Sequence, residues 1–425
     1  MGLSLARGWS GIGRGCRSLG LTLWLLPAAL GMFLASDGCW LTDRSSEPGL
    51  VCVAGSCSCA EGLGDCDGDP ATGCETDVRT SALHCGSCGQ TCEHGHCIGG
   101  LCDCEPWAAD CDHSASNGCE VDLRSDGENC GTCGRSCDGG ACLEKVCQPV
   151  ELASVPTWPS HLVLDPTYAF VTGSAVMAYR LDGSEPPTVV DPDGGGGADT
   201  RDGLLYWVAS DGVASASPGE PATVLATPAS SWTSEGDLVA TATDLYWCAQ
   251  EENQTDTMLL RAPRSGGGAV QIVASAPERL AADERFVYWT FAGATIRRMP
   301  VTGGPIQDFV TGSDVRVLTT AGGYLYWAEG WSDASIRRVP QDGGETSLLF
   351  EAANSWVGAL AVDETLVVFS YAAGGAYDAI GAVRLSAPGA MLTLAQGQVS
   401  IVAVGLGPRH VYWLTDTKLM RVVRP

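Results

Sequence analysis

Ten cysteines, Cys52, Cys57, Cys59, Cys66, Cys74, Cys85, Cys88, Cys92, Cys97 and Cys102, recur 45 residues later as Cys97, Cys102, Cys104, Cys111, Cys119, Cys130, Cys133, Cys137, Cys142 and Cys147. Thiols held to a fixed register in tandem units can oxidise in pairs or hold a soft metal. Eighteen of the chain's 21 cysteines lie in this stretch, and few large apolar residues stand between them. Cross-links must therefore replace a core, and all eighteen are assigned to disulfides formed in an oxidising compartment. Their connectivity stays open. Zinc is the competing reading of Cys85-x-x-Cys88 and Cys130-x-x-Cys133, with His84, His94 and His96 close by, but an export signal upstream argues against it. Calcium is the alternative reading of the acids Asp65, Asp67, Asp69, Glu75 and Asp77, repeated as Asp110, Asp112, Glu120 and Asp122 with Ser114 in place of the remaining one. Asp also favours turns, so no cofactor is assigned.

Residues 1–38 read as an export signal. Arg7, Arg14 and Arg17 precede an apolar run from Leu19 to Ala35 that contains Pro27 and falls short of a comfortable membrane span. Gly38-Cys39 resembles the end of a lipoprotein signal peptide, with Cys39 as the lipid-bearing residue; Ser36 stands where Leu is usual, and ordinary cleavage nearby is the alternative. Cysteine parity favours lipidation, because Cys39 is left over when the eighteen pair. The membrane is then touched only through that anchor, and the expected location is extracytoplasmic: cell surface, outer membrane or medium. A net charge of −26, with Lys145 and Lys418 the only lysines, repels phosphate backbones and excludes nucleic acid as a partner.

Beyond the cysteines, catalytic motifs are missing: the nucleophile elbow, the His-Glu-x-x-His zinc motif and the phosphate-binding loop are all absent. His161 and His410 are the only histidines after residue 148, and each sits beside an apolar run where a structural role is expected. Asp193-Gly-Gly-Gly-Gly197 lacks a lysine and reads as a flexible connection. Cys248 follows Trp247 directly and reads as a buried free thiol. The expectation is a protein without catalytic activity; a hydrolase or lyase, or a structural surface component, are the alternatives.

These residues must be positioned by strands. An apolar stretch with a paired anchor recurs at Ala169-Phe170, Tyr206-Trp207, Tyr246-Trp247, Tyr288-Trp289, Tyr326-Trp327, Val368-Phe369 and Tyr412-Trp413, at spacings between 37 and 44 residues. Around the clearer copies lie Leu-Ala-x-Asp, Val-Tyr-Trp and Ile-x-Arg-x-Pro-x-x-Gly-Gly. Four short strands in a unit of about 40 residues are the signature of a β-propeller blade. The fold class is therefore all-β: a signal peptide at 1–38, disulfide-stapled cysteine-rich repeats at 39–148, and a β-propeller at 149–425. Seven anchors imply seven blades. The last copy is one strand short, and Val150–Val155 is expected to supply it, closing the ring.

Two resemblances follow from these motifs. Cys-Gly-x-Cys-Gly-x-x-Cys, at Cys85–Cys92 and Cys130–Cys137, with the later Gly-x-Cys, resembles the stigma-specific cysteine-rich family, which implies extracellular interaction or spacer modules. Tyr-Trp followed by Ile-x-Arg and a Gly-Gly turn resembles the YWTD-type propellers of lipoprotein-receptor ectodomains and related bacterial proteins. That family usually closes with six blades, and it implies binding of a partner. An extracellular protein or glycan is the partner expected here, on long loops at 248–257, 328–335 and 371–378 and around Trp232 and Trp356. The candidate binding residues are Trp232, Glu251, Glu252, Trp331, Asp333, Trp356, Tyr371 and Tyr377, aromatics among acids on loops. Trp331, in Glu329-Gly-Trp-Ser-Asp333, is the sharpest of them.

Overall fold

The computed structural model describes residues 49–425 apart from 54–55, 70, 115–116, 157, 228–231, 234–235, 252–256, 274–276, 313 and 374–375. The expected leader and Cys39 lie outside the described residues. Among the described residues all regular structure is β-strand and no helix is long and apolar enough to cross a membrane. Two compact units are present: one ends at Asp103 and takes in Ser114–Gly118, and the other comprises Cys104–His113 and Cys119–Pro425.

The first unit is held by bridges. Its disulfides are Cys59–Cys74, Cys66–Cys88, Cys85–Cys97 and Cys92–Cys102. The second unit opens with Cys104–Cys119, Cys111–Cys133, Cys130–Cys142 and Cys137–Cys147. Both sets span 15, 22, 12 and 10 residues in the same order, so a single connectivity serves both modules. Cys52 and Cys57 face each other in a hairpin register, while their sulfurs lie outside the described residues. Loops of this length give each bridge about 3 kcal/mol on the chain-entropy account. The Cys-Gly-x-Cys-Gly turn is held alike in both modules. Gly89 N–H donates to His84 Nδ1 at 3.0 Å, and Gly134 N–H donates to Asn129 Oδ1 at 2.8 Å. Both glycines have positive φ, the conformation that favours glycine.

The rest of the second unit is a propeller of seven four-stranded antiparallel blades, the third carrying an extra short strand, Trp232–Thr233. Blades one to six occupy residues 159–191, 198–226, 232–273, 280–311, 315–353 and 357–395. Blade seven takes Ala403–Leu406, His410–Leu414 and Lys418–Val423, and its fourth strand is Val150–Ser154, paired antiparallel with Lys418–Val423. The strand just ahead of blade one thus closes the ring, as the missing strand of the last repeat requires, and the count is seven rather than six.

The paired anchors explain the stacking. Successive side chains on a strand point to opposite faces, so a Tyr-Trp pair reaches both neighbouring blades. Trp207 packs with Phe170 of blade one while Tyr206 packs with Trp247 of blade three. Tyr246 then meets Trp289, Tyr288 meets Trp327, and Tyr326 meets Phe369. Val368 meets Trp413, and Tyr412 closes the circuit on Ala169 and Val171. Burying an indole of roughly 200 Å² is worth about 5 kcal/mol of transfer free energy. Cys130, Cys137, Cys142 and Cys147 share one buried cluster with residues of blades six and seven, so the second module is built onto the propeller.

The arginine of Ile-x-Arg is structural. Arg261 makes two hydrogen bonds to the Asp244 carboxylate, at 2.9 and 3.0 Å, and Arg298 and Arg338 lie over the rings of Phe309 and Tyr324.

Candidate functional site at the channel mouth

The inner strands of the blades surround a central channel of about 570 Å³. Five charged or titratable residues stand at or just before the first residues of those strands: His161 of blade one, Asp199 of blade two, Asp237 of blade three, Arg279 of blade four and Arg316 of blade five. Every inner strand starts on the same rim of the ring, so these residues collect at one mouth.

Three of them converge. His161 Nε2 lies 3.6 Å from Asp237 Oδ1, and Arg279 Nη1 lies 3.9 Å from the same oxygen. The other Asp237 oxygen accepts Leu280 N–H at 2.9 Å, which fixes the carboxylate between blades three and four. Ser160 Oγ sits 3.1 Å from His161 Nδ1. Arg279 Nε donates to Arg316 O at 3.0 Å, and the Arg316 guanidinium stacks 3.2 Å over the ring centre of Trp331. Asp199 is more enclosed. It accepts Thr200 N–H and Ala240 N–H, each at 2.8 Å, and burial pushes its carboxyl up to about 6.

A second hollow of about 530 Å³ adjoins this mouth and shares Ser160 and His161 with it. Its walls include Trp158, 84% exposed and at φ +65°, and Asp193 to Gly196 of the Asp193-Gly-Gly-Gly-Gly197 segment. That segment is not the loose connection expected. A Cβ on Gly197 would stand 2.1 Å from Gly236 O, and one on Gly194 would stand 2.4 Å from Gly173 O. Backbone packs against backbone here, and glycine is required by space. Cys248 is the free thiol expected, 1% exposed, with burial holding its pKa well above the usual value. It lines a smaller cavity beside Arg279.

Of the eight residues proposed from the loops, Trp331 is joined to this mouth through Arg316. It is 67% exposed on the turn between Tyr324–Glu329 and Asp333–Pro340. Asp333 begins the next strand and accepts Asn354 N–H at 3.2 Å. Trp356 is partly buried just before the inner strand of blade six. Tyr371 lies on a strand rather than a loop, its hydroxyl 3.3 Å from Thr393 Oγ1. Tyr377 and Glu251 are also on strands, and Trp232 pairs with Glu251; the side chains of these three, and all of Glu252, lie outside the described residues. In blades three and six the residues that flank the expected loops, Cys248–Gln250 and Tyr371–Ala373, lengthen the hairpin ladders, while 252–256 and 374–375 lie outside the described residues. His161, Asp237, Arg279 and Trp158 were not among the candidates. A signal for two of them was present: Asp237 and Arg279 each directly precede the Leu that begins an inner strand.

The acids of the cysteine modules do gather in part. Oxygens of Asp65, Asp67 and Glu75 lie within 4.8 Å of one another, as do those of Asp110, Asp112 and Glu120. Asp69, Asp77 and Asp122 stand outside these groups; like Asp65, Asp67, Glu75 and Glu120 they accept nearby backbone N–H groups, and Asp122 also pairs with Arg124. The sulfurs of Cys85, Cys88, Cys130 and Cys133 are in disulfides, and His84 holds its turn.

No family model and no curated protein matches this chain. Solved structures do. A catalytically inactive virginiamycin B lyase from Staphylococcus aureus with quinupristin is 16% identical, with a TM-score of 0.50 over 65% of this chain and 99% of that one. An oligogalacturonate lyase in complex with manganese is 14% identical, with a TM-score of 0.51 over 61% of this chain and 87% of that one. These likenesses are of fold. They overturn the expectation that the protein is not an enzyme, since the same architecture houses lyases. That expectation rested on the scarcity of histidines, yet His161 stands in the channel mouth with a carboxylate and a guanidinium beside it.

Proposed function

We propose that this is an exported protein whose propeller takes an extracellular ligand, a group on a protein or a glycan, at the mouth of its central channel. The observation that supports it is the convergence of His161, Asp237 and Arg279 from three different blades, with exposed Trp158 and the Arg316–Trp331 stack on the surrounding surface. Such a set offers donors, a carboxylate and aromatic faces in one hollow. The eight disulfides among the described residues point to an oxidising compartment outside the cytoplasm. Glycan arrays and pulldowns from culture medium test the reading: His161→Ala and Arg279→Ala should lose captured partners while melting as the parent does. Capture that survives both changes places the ligand elsewhere. Anchoring at Cys39 belongs to the same proposal, and Cys39→Ser should then move the protein from the membrane fraction into solution.

A second reading is catalytic. A histidine near a carboxylate can pass a proton, and an adjacent arginine can steady an anion, the parts an elimination requires. The lyases that share the fold make this the first reaction class to screen. Oligogalacturonides and quinupristin, followed by the ultraviolet absorbance of a new double bond, are the starting panel. Binding without turnover of either would leave this second reading without support.

A further inference from the structure

The opposite rim of the propeller carries a cavity of its own. It measures about 450 Å³ and opens at the seam where blade seven meets blade one. Turns of blade one at Thr167 and Asp182, the strands bearing His410 and Arg421, and Asp138 of the second cysteine module enclose it.

Arg421 stands where Arg261, Arg298 and Arg338 stand in blades three to five, but in blade seven a cavity opens beside it. Arg421 Nη1 donates to Leu181 O at 2.8 Å, and its guanidinium also reaches the buried Tyr412 phenol. Its Nε is buried with no hydrogen-bond partner. Among the described residues no carboxylate lies within 4 Å of it, because the nearby acids are engaged by other cations. Asp182 pairs with Arg180 at 3.3 Å, and Asp138 pairs with Arg409 at 3.3 Å and lies 3.0 Å from His410 Nε2, off the line of a hydrogen bond. His410 itself is only 8% exposed. A half-buried positive charge without a counter-ion, in a chain of net charge −26, carries a desolvation cost that an anion would offset.

We infer that this seam cavity binds a singly charged oxyanion group on a small molecule, a carboxylate or a sulfate ester, with Arg421 as its principal partner. Arg180 is matched by Asp182 and Glu185 and Arg409 by Asp138, so among the described residues Arg421 is the one arginine of the cavity lining without a carboxylate partner, and a single negative charge suits it better than a dianion. The volume suits a molecule of monosaccharide size, so a sugar acid or a sugar sulfate is the ligand class. This site is independent of the channel mouth.

The test is calorimetric titration of the full chain with glucuronate, with glucose 6-sulfate and with inorganic phosphate at a pH where it is a dianion. One or both sugar anions should bind saturably and phosphate more weakly; which sugar binds more tightly separates carboxylate from sulfate recognition. Arg421→Gln should weaken binding by roughly tenfold or more, the loss of a charge-assisted contact. Asp138→Asn, which removes a competing carboxylate, should tighten it. If Arg421→Gln does not fold, Asp138→Asn decides. Absence of saturable binding, a phosphate preference, equal affinity in Arg421→Gln, or no gain in Asp138→Asn would each overturn the assignment.

Discussion

The first cysteine module and the propeller solve the same problem by opposite means. Among the described residues up to Asp103, the buried apolar side chains are four cysteines and Val78. The propeller buries Trp207, Trp247, Trp289, Trp327 and Trp413 almost completely. A unit with nothing to bury must restrict its unfolded state, whereas one built of large rings gains from removing them from water. The second module uses both devices, since its bridged cysteines are also part of the apolar cluster under blades six and seven. Covalent and apolar cohesion are therefore not confined to separate lengths of chain.

The largest expected effect comes from reduction. Reducing and alkylating the protein should abolish hydrogen-exchange protection from Cys59 to Cys102, at about 3 kcal/mol per bridge lost, while the strands of blades two to five keep theirs. Retained protection in the reduced module would mean that something other than the bridges holds it. Next in size, Trp289→Ala should cost about 3–5 kcal/mol in denaturant unfolding of the propeller and leave the first module's protection unchanged. An unchanged unfolding midpoint would break the apolar half of the comparison.

A smaller effect concerns pH. The folded Asp199 carboxyl, raised to about 6 by burial against an ordinary 3.8, keeps its proton where the unfolded chain has lost it. Its contribution favours the fold below about pH 4 and is lost as pH rises through 6, about 3 kcal/mol in all. Asp199→Asn should flatten the difference in stability between pH 4 and 7; an unaltered slope would show that the residue titrates normally. Smaller still, Trp331→Ala should shift the melting temperature hardly at all, because the ring is 67% exposed, yet reduce ligand capture. A drop of several degrees with capture intact would make Trp331 a structural cover for Arg316. Smallest of all, chelation with EDTA should leave both modules folded, and unfolding would assign the Asp65 and Asp110 clusters to calcium.

Most of the fold was legible because it repeats. Aromatic pairs at steady spacing, Gly-Gly turns and a final copy short by one strand sufficed for seven blades and for closure by Val150–Ser154. The disulfide pairing was not legible, since spacing alone does not choose among partners. The channel mouth was legible only in retrospect. His161, Asp237 and Arg279 belong to three blades and become neighbours only when the ring is closed. In blades three and six some of the residues read as loop instead continue the ladder. Trp331 was recoverable from sequence because its Gly-flanked acidic setting places an aromatic ring outside the strand.

The closing strand has a consequence for the order of synthesis. Val150–Ser154 leaves the ribosome long before its partner Lys418–Val423, the last strand of the ring to be made. Until that segment arrives, the early strand has no ladder to join and the first and last blades have no common sheet. A chain cut short anywhere before Lys418 therefore cannot complete the ring and keeps an open edge available to proteases and to other chains. The strand pairing acts as a check on completeness of the ring, whose two open edges are hidden only once Lys418–Val423 has been made.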